Sequence, residues 1–155
     1  MRPADAARLV RFHHTLSPDT TYLRFFSFHP ELSADELYRF THVDHLDREA
    51  IVVVKDAEII AVARFDRVAG ETDAEVAFVV ADSWQGRGLG TLLFDRLARR
   101  ACRVGIDRFT AQTFRDNARM RAVFRNTGLP MTQRGEAEIL HVTIDLTSIS
   151  GDESA

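Results

Sequence analysis

Three glycines spaced two apart, in Gln85-Gly86-Arg87-Gly88-Leu89-Gly90, stand between a Val- and Phe-rich run ending at Val80 and an amphipathic stretch that begins at Leu89. Glycine at these positions lets the backbone curl tightly and approach a ligand with no side chain in the way. The helix that follows opens with unpaired amides and the positive end of its dipole, and both favour an anion such as a diphosphate. Arg87 can add charge to such a site. A P-loop would need Lys-Ser or Lys-Thr after its last glycine, whereas Thr91-Leu92 follows here. A Rossmann fingerprint would need a parallel strand with an acidic end about 20 residues on, and the strands upstream of the turn argue against that fold.

The elements that must hold this turn can be read along the chain. Ala7, Leu9, Val10, Phe12 and Leu16 recur at helical spacing and predict a first helix over 4–16, which Pro18 ends. Ser33 followed by Glu36 is a capping box and predicts a second helix from Ala34 to Val43. Between them lies TYLRFFSFHPEL, dense in aromatics. Strands are predicted at 50–55, 58–68 and 74–80, joined by short polar turns into an antiparallel meander. A long amphipathic helix over 89–104 ends at Gly105; a strand at 109–114, a helix at 117–126 closed by Gly128, and an alternating strand at 138–146 complete the order. This is a mixed α/β (α+β) sandwich, expected as one domain over 1–147 with a flexible tail over 148–155.

Composition narrows the functional classes. A chain of 155 residues, 45% hydrophobic and 28% charged, fits one globular domain. It lacks a run of about 18 apolar residues to span a bilayer and the layout of a secretion signal at MRPADAARLV. A cytoplasmic protein without membrane partners is therefore expected. The formal charge of -3 offers no footprint for nucleic acid. Cys102 alone excludes an internal disulfide and a cysteine-rich zinc site, and its apolar neighbours suggest a core position. His42 and His45 flank Asp44 without forming His-Glu-x-x-His, and His13, His14, His29 and His141 make no constellation, so no metal is expected. Asp44, Asp47 and Glu49 could give a cleft a negative lip. Lys55 is the sole lysine.

The segment Gln85-x-x-Gly88-x-Gly90 after a strand resembles motif A of the GNAT acetyltransferases, and Asn117-Ala118-Arg119-Met120 through Phe124 to Gly128 resembles their motif B. More narrowly, YLRFF, THVDHLDREA, AEVAFVVADSWQGRGLG and DNARMRAVFRNTG resemble the bacterial Pat-type protein lysine acetyltransferases, which modify acyl-CoA synthetases and other enzymes. The resemblance implies a GNAT fold: a central, mostly antiparallel sheet splayed at an acetyl-CoA site and flanked by about four helices. It implies that the backbone of Phe78, Val79 and Val80 pairs with the pantetheine arm. The turn Gln85, Gly86, Arg87, Gly88, Leu89, Gly90 and Thr91 then holds the diphosphate, Asn117 and Phe124 line the cofactor's other side, and Glu75 falls where the general base is kept. Two departures stand out: Phe124 occupies a position where many members keep a tyrosine acid, and the strand usually preceding the first helix is reduced to Met1-Arg2-Pro3. Pat-type enzymes often carry a regulatory domain that binds a cyclic nucleotide or an amino acid, and none is encoded in these residues.

The implied chemistry is consistent with the residue types. A lysine amine has a pKa near ~10.4 and needs a base before it can attack a thioester. Glu75 lies among Val76, Phe78 and Val80, where desolvation would raise its pKa toward a useful range. A backbone amide near Val79 or Val80 is available to the oxyanion. A thiol leaving group with a pKa near ~8.5 tolerates the absence of an acid at Phe124. Transfer to a small amine or a peptide N-terminus stays open, as does a non-catalytic module that senses acyl-CoA.

Overall fold

Pro18 ends the first helical pattern and also opens a second helix that the pattern conceals. In the computed structural model, which describes residues 1–149, a 3-10 turn at Pro3–Asp5 leads into α1 (Ala6–Thr15), and α2 (Pro18–Phe25) starts after Leu16 and Ser17. Ser17 is its N-cap, its hydroxyl accepting the Thr20 amide at 3.1 Å. Proline at the first helical position loses no hydrogen bond there. The predicted capping box opens α3 (Ala34–Thr41), with Glu36 N–H to Ser33 Oγ at 3.1 Å and Ser33 N–H to Glu36 Oε1 at 2.9 Å. This helix stops short of Val43 because His42, still bonded to the Tyr38 carbonyl, leaves helical geometry with φ of -103° and ψ of 78°.

β1 (Arg48–Lys55), β2 (Glu58–Arg67) and β3 (Asp73–Val80) form the expected meander, followed by α4 (Leu89–Arg103), β4 (Arg108–Phe114), α5 (Ala118–Asn126), β5 (Met131–Glu136) and β6 (Ile139–Asp145). The sheet order is β1-β2-β3-β4-β6-β5, and only the β3–β4 pair is parallel. β5 was not anticipated by the apolar pattern: MTQRGE is an edge strand exposed along nearly its whole length, so it has no inward row to alternate.

The sheet buries both faces. Phe65 of β2, Val76 and Phe78 of β3 and Phe109 of β4 pack under Leu93, Phe94, Leu97 and Ala101 of α4. Leu9 and Phe12 of α1 and Phe40 of α3 cover the other face around Val62. Cys102 is half-buried against the first cluster, its thiol donating to the Leu146 carbonyl at 3.6 Å. Of the segment expected as a tail from Ser148, Ile149 packs against that cluster, and residues 150–155 lie outside the described residues. Among the described residues no helix is long and apolar enough to cross a membrane.

Candidate active site

β3 and β4 pair only where Asp73, Ala74 and Glu75 meet Arg108, Phe109 and Thr110, although β3 continues to Val80 and β4 to Phe114. Each strand keeps its other neighbour, β2 or β6, so the two diverge beyond Glu75 and open the expected splay. A cleft of about 540 Å³ lies between Val76–Val80 on one wall and Ala111–Thr113 on the other. An aromatic wedge fills its base: the Phe78 ring lies 5.9 Å from Phe94 and 6.4 Å from Phe124. The Ala81 amide donates to the Ile60 carbonyl at 2.8 Å. Strand alternation then turns the Val79 amide toward β2 and leaves the Phe78 and Val80 amides facing the cleft.

The glycine turn closes one end. Gly88 is the N-cap of α4 with φ of 84°, a left-handed conformation that favours glycine. The first helical bond runs from the Leu92 amide to the Gly88 carbonyl at 3.1 Å, so the Leu89, Gly90 and Thr91 amides precede the ladder. A Cβ on Gly90 would meet Cγ2 of Val123 at 2.9 Å, which makes this glycine the contact that lets α4 and α5 approach. Arg87 departs from expectation: its guanidinium sits 4.7 Å from the Trp84 ring centroid, and it does not line the cleft.

Glu75 lies at the vertex of the splay, opposite Asp66 on β2 and Thr110 on β4. Its side chain is exposed, so the desolvation expected from its apolar neighbours is absent: Val76 and Phe78 point into the core and Glu75 points the other way. α2 bridges the two strands, packing on β3 at one side while Tyr22 stacks on Phe114 of β4 with centroids 5.4 Å apart. Asp44, Asp47 and Glu49 do not form a lip. Asp44 accepts the amides of Leu46, Asp47 and Arg48, Asp47 pairs with Arg67 at 2.9 Å, and Glu49 is buried against His45 and Arg100.

A family model described as "Acetyltransferase (GNAT) family" matches residues 9–129. The chain belongs to the GNAT acetyltransferase family. It is 38% identical over 129 residues, 81% of its length, to the acetyltransferase Pat of Mycolicibacterium smegmatis. It spans only 38% of that relative. The GNAT domain of S. lividans PAT superposes with a TM-score of 0.88 at 36% identity, covering 94% of this chain and 87% of the other. The protein yncA of Salmonella typhimurium, solved with its cofactor acetyl-CoA, shares the fold at TM-score 0.77 and 18% identity, covering 94% of this chain and 91% of that one.

Within this GNAT domain, every residue singled out from the sequence except Arg87 lines one cleft: Glu75, Phe78, Val79 and Val80 on β3, the rest of the turn from Gln85 to Thr91, and Asn117 and Phe124 near α5. Asn117 also caps α5, its Oδ1 accepting the Met120 amide at 3.2 Å. Phe124 is buried in the aromatic wedge, so this position contributes packing rather than a hydroxyl. Sequence reasoning missed Thr20, Arg24, Phe25 and Phe26 of the α2 region, and Arg119. The aromatic density of TYLRFF was the available signal, but only recognition of Ser17-Pro18 as a helix start could have placed it.

A polar chain ties α2 to the turn. Asp82 accepts the Ser17 amide (3.0 Å), the Ser17 hydroxyl (2.7 Å) and the Thr20 hydroxyl (2.9 Å). Gln85 donates to Thr20 Oγ1 at 3.2 Å and to the Val80 carbonyl at 3.0 Å, and accepts from Arg119 at 2.9 Å. Partial burial works to raise the Asp82 carboxyl, but the Ser17 and Thr20 donors outweigh it and hold the group below its ordinary value. A depressed carboxylate stabilises the fold above its unfolded pKa and loses that contribution as pH falls through the folded one. Thermal midpoints measured from pH 6 to pH 2 should therefore fall more steeply for the parent than for Asp82→Asn in the acid range. At neutral pH the variant should lose about 1 kcal/mol or less, as befits exposed hydrogen bonds.

Proposed function

We propose that this chain is the catalytic domain of an acetyl-CoA-dependent N-acetyltransferase that acetylates lysine ε-amines of proteins, acyl-CoA synthetases among them. The observation that carries the reading is the placement of Glu75 at the point where the strands part, on the wall of the same cleft that the glycine turn closes. The free amides of Leu89 to Thr91 and the unpaired β3 edge suit the diphosphate and the amide-bearing arm of acetyl-CoA, which when bound supplies an activated acetyl thioester. Glu75 then takes the proton from the incoming lysine amine, and the Val80 amide, turned toward the cleft, is the donor for the developing oxyanion. Similarity to Pat and to the S. lividans PAT domain supports a protein acceptor. The same reading sets the protein in the cytoplasm, with a regulatory domain encoded outside these residues, and with neither nucleic acid nor membrane as partner.

Thiol release from acetyl-CoA, followed with a lysine-containing acyl-CoA synthetase and separately with free polyamines, tests it. Turnover with the synthetase is expected. Turnover with polyamines alone would move the acceptor to small amines, and retained coenzyme A binding without any turnover would make the domain a sensor.

The turn can be tested by itself. Valine at position 88 cannot hold φ of 84° without strain of about 1–2 kcal/mol. Binding would have to restore that geometry, so Gly88→Val should raise the Kd for coenzyme A about tenfold in calorimetry. An unchanged Kd would remove the turn from the binding site.

A further inference from the structure

Many arginines on the surface of this fold are held by carboxylates, as Arg11 is by Glu58 (3.1 Å), Arg67 by Asp47 (2.9 Å) and Arg108 by Asp73 (2.8 Å). Three that surround the ring of Phe40 are not. The guanidinium carbons of Arg64, Arg39 and Arg24 lie 4.1, 5.1 and 6.0 Å from its centroid, and among the described residues none of the three forms an ion pair. Arg64 is 6% exposed; one terminal nitrogen donates to the Phe40 carbonyl at 3.2 Å, and its buried Nε has no partner. Arg24 stacks on Phe25 at 4.5 Å and makes no hydrogen bond among the described residues.

Position gives this cluster a functional meaning. Arg24 lines the main cleft together with Glu75, and also a cavity of about 40 Å³ that Arg64, Phe40, Ala77 and Val79 line, room for about one small polar group. The β2–β3 register sets Arg64 beside Ala77, one row from the Asp66–Glu75 pair and on the same face as Glu75. That face is opposite to the one packed under α4, whose N-terminus carries the glycine turn. Burial pushes the Arg24 and Arg64 guanidiniums down to about 10, with the charge of Asp66 offsetting only part of that cost. The carboxylates whose charge reaches Arg24 are Asp66, Glu36 and Glu75, and none is within ion-pair distance of it: Asp66 turns to Arg48 at 3.6 Å, Glu36 bonds Ser33 and His29, and Glu75 stands exposed on the cleft wall.

We propose that Arg24, Arg64 and Arg39 form a subsite for a carboxylate carried by the acceptor, so that lysines flanked by an acidic side chain are the preferred targets. The inference rests on the lysine reading above. A guanidinium receives a carboxylate through paired, charge-assisted hydrogen bonds, and this cluster holds donors that the fold leaves unused.

The test compares an all-Gln lysine peptide with four peptides that each carry one Glu, at positions from two before to two after the lysine. At the favoured position the Glu peptide should show kcat/KM about tenfold higher, mainly through KM, the ratio one charge-assisted hydrogen bond supports. In Arg24→Gln the Glu-to-Gln ratio should fall to about one, and Arg24→Lys should restore part of it. A merely structural role would lower both peptides together and leave the ratio intact. Where the peptides are acetylated, the proposal is overturned if no Glu position exceeds the all-Gln peptide, or if the ratio survives in both Arg24→Gln and Arg39→Gln.

Binding provides a readout that needs no turnover. Glutarate should raise the thermal midpoint of the coenzyme A-loaded protein, and the rise should vanish in Arg24→Gln. If no peptide is acetylated but this Arg24-dependent rise is present, the lysine reading fails and the carboxylate subsite stands. No rise in the parent overturns the subsite.

Discussion

Glu75→Gln is expected to lower kcat by about 10²–10⁴-fold, the range a positioned general base contributes, with coenzyme A affinity unchanged. The carboxylate stands where β3 and β4 part, at the other end of β3 from the glycine turn proposed to hold the cofactor, so binding and proton transfer should separate cleanly. Steady-state rates across the pH range, with calorimetry for coenzyme A, decide the matter. A variant as active as the parent at every pH would assign the base elsewhere. Because Glu75 is exposed in the ligand-free fold, its removal from water has to come from the bound substrates.

Phe94→Ala should cost about 3–5 kcal/mol, the scale for deleting a fully buried aromatic ring. Phe94 is 2% exposed and meets Phe78 of β3 at 5.9 Å, Phe109 of β4 at 5.7 Å and Phe124 of α5 at 6.4 Å. One side chain of α4 thus spans the two strands that splay and the helix beyond them, leaving a cavity that several elements cannot close at once. Urea unfolding should show the loss as a lower midpoint, and thermal unfolding as a fall of about 10 °C. Phe28→Ala, at a ring 79% exposed, serves as the control and should stay within about 0.5 kcal/mol of the parent. Equal stability for the two variants would contradict the wedge.

How far the fold was legible follows from what each element records locally. β2, β3 and α4 announce themselves because each buries a row of apolar residues, and burial writes its period into the residue types, while α5 is marked by its ends, Asn117 as N-cap and Gly128 just beyond it. α3 was marked by its capping box and the turn before α4 by its glycines, since both respond to backbone geometry within a few residues. β5 left no such trace, because an exposed edge strand is held by hydrogen bonds to β6 rather than by an apolar row. α2 was obscured for a related reason: only Thr21 of its eight residues is buried, and its aromatics pack on Phe114 and Phe40 from distant parts of the chain.

The candidate site divides along the same line. Types and spacing in the sequence by themselves determined the glycine turn, the strand before it and the presence of Glu75 on that strand, because those are properties of neighbours along the chain. Only the tertiary structure decided that Glu75 stands at the vertex in the open, that Arg87 turns to Trp84, that the acidic run at Asp44 to Glu49 is spent on its own turn and on arginines, and that Arg24, Arg39 and Arg64 gather around Phe40 without counter-ions. Those facts depend on which strands lie side by side and where they part, and that is set by contacts between residues far apart in the chain, which no local pattern encodes.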